Sequence, residues 1–304
     1  MAVVKKKTAE RVQRTSLIKK KKNLDEELNI ELPTEYSEPA TEIGDYTFLL
    51  YGSKKIGKTS LASQFPKALA FMFEPGGKAL RLLQLACPTW PHFKQALDKL
   101  TGKHMYRTCI IDTVSVAYER CMEYACQKAS IDHPSDEGYG KGWDRVKKEF
   151  TSQFSQLMLS GSGLLMIAHD KIAEIETRSG RKFNKTMPNL TGQAESFVSA
   201  TIDVIGYYHI VDNQRWLQIR EDDYAVAGCR CEENFIALDG QPVFKIPMGT
   251  SAQEAYANLL TAFNNKQKES YTPEAMRRRL DANKVVTHSV TKTKSKPKIG
   301  KRIR

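Results

Sequence analysis

The 304-residue sequence predicts an α/β fold, a mainly parallel sheet flanked by helices with antiparallel strands at one edge. Three observations point there. Short apolar runs alternate with helix-patterned segments from residue 45 to about 168. A glycine-bearing turn joins the first run to the first helical segment. Beyond residue 200 the pattern changes to apolar runs divided by Val211-Asp212-Asn213-Gln214, a hairpin signal.

Taken in order, residues 45–51 read as a buried strand, and a helix starts at Ser60 and stops at Pro66. Ala68–Phe73 is a second apolar run, bounded by Glu74-Pro75-Gly76-Gly77. Residues 78–86 and 92–100 carry helical patterns. Thr108–Ile111 is a short strand leading into Asp112. Residues 114–129 and 143–160 have helical periodicity, with a polar segment between them at 130–142. Leu164–Ala168 is a further buried strand that ends in His169, and 171–191 reads as a polar loop. Strands follow at Ile202–Ile210 and Arg215–Arg220, with edge strands at Phe235–Leu238 and Val243–Ile246. An amphipathic helix at 251–264, with Ala255, Leu259, Leu260 and Phe263 on one face, closes the domain. The expected organisation is a flexible tail at 1–44, a domain at 45–264 and a basic, disordered tail at 265–304.

The net charge of +12 hides a division. Residues 1–22 carry +8 and residues 275–304 carry +10, which leaves the body between them at −6. Two basic tails on an acidic globule suit a polyanionic partner. No apolar run approaches a membrane span, and no apolar segment follows the basic N-terminus as a secretory signal requires, so a cytoplasmic protein without a membrane partner is expected. The six cysteines show no metal-ligand spacing and fit free thiols in a reducing compartment.

Gly52-Ser53-Lys54-Lys55-Ile56-Gly57-Lys58-Thr59-Ser60 fits G-x-x-x-x-G-K-[ST] in its working context of strand, loop and helix. Two glycines let the backbone curl so that successive N–H groups converge on phosphate oxygens. Lys58 then reaches the β- and γ-phosphates of ATP, and the Thr59 hydroxyl binds Mg²⁺. Asp112, at the end of an apolar strand, is the expected second metal residue. Thr113 and Ser115 are adjacent hydroxyls that can order the metal's waters. Glu74, at the end of the strand after the loop helix, is placed to orient or deprotonate the attacking water. His169 ends the last central strand and can contact the γ-phosphate. Gly52, Glu74, Asp112 and His169 all lie at carboxyl ends of strands, where open parallel sheets bind ligands.

This set, in this order, resembles the RecA-like P-loop NTPase core, and most closely the small phage-encoded RecA-like ATPases. The resemblance spans about 45–264 and rests on Gly52–Ser60, Phe73-Glu74-Pro75-Gly76, Ile110-Ile111-Asp112-Thr113, Gly138–Trp143, Ile167–Lys171 and Ile202-Asp203-Val204. It implies a catalytic role for Glu74, DNA-stimulated ATP hydrolysis, and a ring or filament that promotes annealing or strand exchange on single-stranded DNA in the cytoplasm of the host. A single-strand-binding protein is a further implied partner. His169 stands where RecA has glutamine, so its sensing chemistry carries over only loosely, and RecA's large accessory regions are missing.

RecA's DNA loops correspond to about 130–142 and 172–191 here. The second holds Arg178, Arg181, Lys182 and Lys185 with Phe183 among them, which suits phosphate neutralisation and base stacking. The first offers Tyr139 and Trp143. No in-cis arginine finger lies near the glycine loop, so a neighbouring subunit is expected to supply one, with Arg220 as the candidate. Two other readings are a P-loop kinase acting on a small molecule and a nucleotide-switched assembly module without turnover. The first lacks an arginine-rich lid or an acceptor site.

Overall fold

The computed structural model describes residues 32–100 and 102–273. The chain divides into two units, 1–39 and 40–304. In the first unit, residues 32–39 are exposed and form neither helix nor strand. The basic stretches 1–22 and 275–304 lie outside the described residues.

The second unit is built on one large sheet. Its strands are β1 (Thr47–Gly52), β2 (Ala68–Met72), β3 (Leu83–Ala86), β4 (Thr108–Asp112), β5 (Gly163–Glu176), β6 (Lys182–Pro188), β7 (Val204–Val211), β8 (Gln214–Gln218), β9 (Gly228–Cys229) and β10 (Lys245–Gly249). The order is β10-β8-β7-β1-β5-β4-β2-β3, with β6 paired to β5 and β9 to β7. From β7 to β3 every neighbouring pair is parallel, and β8 and β10 extend the sheet antiparallel. This is the expected P-loop NTPase architecture, including its antiparallel edge.

Alternation along the central strands sends side chains to two cores. Leu49, Phe71, Ile111 and Met166 point to one face, covered by α2 (Trp90–Leu100), α3 (Val114–Ala129), α4 (Lys141–Met158) and α5 (Gly192–Thr201). Phe48, Leu50, Ile110 and Ile167 point to the other, under α1 (Lys58–Ala62) and α6 (Ala252–Phe263). The first core centres on an aromatic cluster in which Phe150 touches the rings of Trp90, Tyr118, Phe154 and Phe197. At the β7–β8 turn Asp212 and Asn213 both take positive φ, the backbone of a two-residue hairpin. The Ile202-Asp203-Val204 motif is structural, since Asp203 Oδ2 accepts from the Thr47 amide at 2.8 Å and its hydroxyl at 2.7 Å, which locks β7 beside β1.

Three expectations are corrected. Residues 78–86 are not helical; the Leu80 amide closes a turn on the Gly77 carbonyl, and Leu83–Ala86 pairs parallel with Leu69–Met72. The open edge of β2 outweighed a leucine spacing that also fits a helix face. His169 does not end its strand, and 171–191 is not a loop. β5 continues for seven residues past His169 and folds back through β6 as an antiparallel hairpin, from Asp170 opposite Pro188 to Glu176 opposite Lys182. Finally, the packed chain extends beyond 264. Gln267 and Ser270 are buried, and Tyr271 lies edge-on to Trp216.

Candidate nucleotide site

Glu74, Asp112 and His169 continue the sheet face that carries α1, which brings them to one side of the glycine loop. A cleft of about 400 Å³ opens there, and its walls include Gly57, Lys58, Thr59, Glu74, Asp112 and His169. The loop needs its glycines. A Cβ at Gly52 would fall 2.0 Å from the Tyr208 carbonyl oxygen, and Gly57 sits at φ +107° at the mouth of α1.

Lys58 is buried, and its ammonium donates to the Gly52 and Ser53 carbonyls at 2.7 and 2.8 Å. Burial lowers its pKa, while Asp170, Asp112 and Glu74 act in the opposite direction. The Thr59 hydroxyl donates to Asp112 Oδ2 at 2.7 Å. Burial raises the Asp112 pKa against the stabilising hydrogen bond from Thr59. A buried carboxylate beside a hydroxyl oxygen is a hard-oxygen donor set that fits Mg²⁺. Among the described residues no cluster of three His, Cys, Asp or Glu forms a separate metal centre.

Glu74 is fixed at three points. Its amide and that of Phe73 both donate to the Asp112 carbonyl. Its Oε1 accepts from the Thr113 hydroxyl at 2.6 Å, and its Oε2 lies 3.6 Å from His169 Nε2. His169 is opposite Gly52 in the sheet register, and its Nδ1 is buried without a hydrogen-bond partner among the described residues. Thr113 therefore serves Glu74, and the Ser115 hydroxyl donates to the Asn189 carbonyl at 2.7 Å.

The remaining expected residues are scattered. Lys182 pairs with Glu174 at 3.1 Å and lies 4.0 Å from Glu176, and Lys185 pairs with Glu221. Arg178 and Arg181 occupy the exposed tip of the β5–β6 hairpin, with Arg181 over the Phe183 ring. Tyr139 is fully exposed, whereas Trp143 packs edge-on against His133. Arg220 donates to the Cys229 carbonyl at 3.0 Å and buries its Nε, so it is engaged within its own subunit. Sequence reading missed Asp170, which accepts from the Ser53 hydroxyl, and Arg215, which reaches the loop from β8. Asp170 sits in the Ile167–Lys171 motif without having been singled out, whereas Arg215 has no local motif and comes near only through strand pairing.

Residues 45–231, more than half of the chain, match the family described as "AAA domain". The chain belongs to that AAA-domain family. The AAA domain here is a nucleotide-binding module of the ATPase class, and the cleft beside the glycine loop is lined by Lys58, Thr59 and Asp112. The chain is also similar to the SPbeta prophage-derived uncharacterized protein YorG of Bacillus subtilis strain 168, 28% identical over 143 residues. That alignment covers 45% of this chain and 43% of the relative's length. Among the described residues no helix is long and apolar enough to cross a membrane.

Proposed function

We propose that this AAA domain hydrolyses Mg·ATP and couples the reaction to single-stranded DNA as a phage recombination protein, working as a ring or filament. One observation carries the coupling: β5 sets His169 against Glu74 and then runs without a break into the hairpin that presents Arg178 and Arg181.

In this reading Glu74, with Oε1 held by Thr113, orients the attacking water and takes its proton through Oε2. Lys58 leaves the loop carbonyls for the β- and γ-phosphates. Thr59 and Asp112 hold Mg²⁺, which when bound neutralises phosphate charge. His169 senses the occupied site through Glu74 and passes the change along β5. The basic tails, with the charge division between them and the body, supply affinity for the polyanion. A neighbouring subunit supplies a further cation to the γ-phosphate.

The test is ATP turnover of the full chain with and without single-stranded oligonucleotide. Stimulation is expected, and Lys58→Ala should abolish turnover in both conditions. Turnover that ignores DNA would defeat the coupling, and wild-type turnover by Lys58→Ala would defeat the site. A strictly monomeric species in light scattering with ATP and DNA present would defeat the assembly.

A further inference from the structure

We infer that Arg215 is a positioning residue for nucleotide phosphates, acting through the peptide between Ile56 and Gly57. The inference rests on the nucleotide reading of the glycine loop.

Arg215 lies on β8, two strands to one side of β1, while Asp112 and Glu74 come from strands on the other side. Its Nε donates to the Ile56 carbonyl at 3.3 Å and its Nη1 to the Thr250 carbonyl at 3.2 Å. Thr250 is in turn fixed by Glu254, whose Oε2 accepts from its amide at 2.8 Å. The chain of contacts thus runs from the first turn of α6 through Arg215 to the glycine loop.

Across a trans peptide the carbonyl of one residue and the N–H of the next point in opposite directions. An Ile56 carbonyl drawn toward β8 therefore turns the Gly57 N–H toward the cleft that holds Lys58, Asp112 and Glu74. Ile56 is buried and absent from the cleft wall, whereas Gly57 lines it. Gly57 at φ +107° has no Cβ to resist rotation of this peptide, so its direction depends on an outside hold. Arg215 is that hold. A loop of converging N–H groups binds phosphate only while they converge, and the guanidinium fixes one of them from behind without touching the ligand.

The experiment compares full-length wild type, Arg215→Gln and Arg215→Lys in titrations with a fluorescent ADP analogue and in its displacement by inorganic pyrophosphate. Each variant is also melted without nucleotide. Arg215→Gln should melt close to the wild type and bind both the analogue and pyrophosphate about tenfold more weakly, the scale of one charge-assisted hydrogen bond. Arg215→Lys keeps the cation but lacks the rigid planar fork that spans the Ile56 and Thr250 carbonyls, so a loss of roughly threefold is expected, a partial rescue. If Arg215→Gln does not fold, Arg215→Lys carries the test by itself. Wild-type affinity for pyrophosphate in a folded variant overturns the inference and leaves the nucleotide reading intact. A wild type that binds neither probe overturns both.

Discussion

The Thr59 hydroxyl and the Asp112 carboxylate, from the loop helix and from a strand two places away in the sheet, meet at 2.7 Å. The two side chains thus hold each other in place, and in the proposed reading this hydrogen bond sets the two oxygens where Mg²⁺ would bind. Asp112→Asn keeps the shape and removes the charge. It should raise the Mg²⁺ concentration needed for half-maximal turnover by tenfold or more, as loss of an ionic ligand does. A metal titration of the variant checks this, and a curve superimposable on the wild type would remove Asp112 from the metal.

Glu74→Gln should retain nucleotide binding and lose turnover by roughly 10²- to 10⁴-fold, the usual contribution of a general base. Glutamine can still accept the Thr113 hydroxyl, so the fold around it is preserved. Single-turnover hydrolysis separates the chemical step from binding. Unchanged turnover would leave Glu74 a turn residue.

The hairpin cations divide into two pairs with different expected effects. Arg178→Ala with Arg181→Ala should weaken single-strand binding and flatten its salt dependence by about 0.7 per lost phosphate contact. Lys182→Ala with Lys185→Ala should do little to that slope, because both lysines already face carboxylates. Equal effects from the two double variants would mean the ion pairs open on binding.

Phe150 is almost fully buried among four aromatic rings. Phe150→Ala should cost about 3–5 kcal/mol of stability, read from chemical denaturation. A loss under about 1 kcal/mol would mean that the cluster re-closes around the gap.

Much of this was legible in sequence because it is local. The loop from Gly52 to Ser60 carries its own signature, and α3 at Val114–Ala129 matches the periodic segment residue for residue. Glu74, Asp112 and His169, which line one cleft, are conspicuous in sequence because each follows a run of apolar strand residues. What was missed depends on pairing between distant segments. β3 is a strand because β2 offers it an edge, not because of its composition. The hairpin beyond His169 was hidden by charge: Glu174, Glu176, Lys182 and Lys185 look like a solvent loop until they are set opposite one another. Arg215 reaches the glycine loop only through strand order and register.

The unbroken length of β5 has a mechanical consequence. From His169 to Glu176 is seven residues, roughly 23 Å at the usual rise of a strand. β6 braces that span, and Thr186, opposite Ile172, ties the base of the hairpin to Tyr224 and Val226, so the free arm runs from Ile172 to Glu176, four residues or roughly 13 Å. A tilt of about 5° at Ile172 would move the end of the arm by about 1 Å over this length, so a small change at the base would be carried out to Arg178 and Arg181.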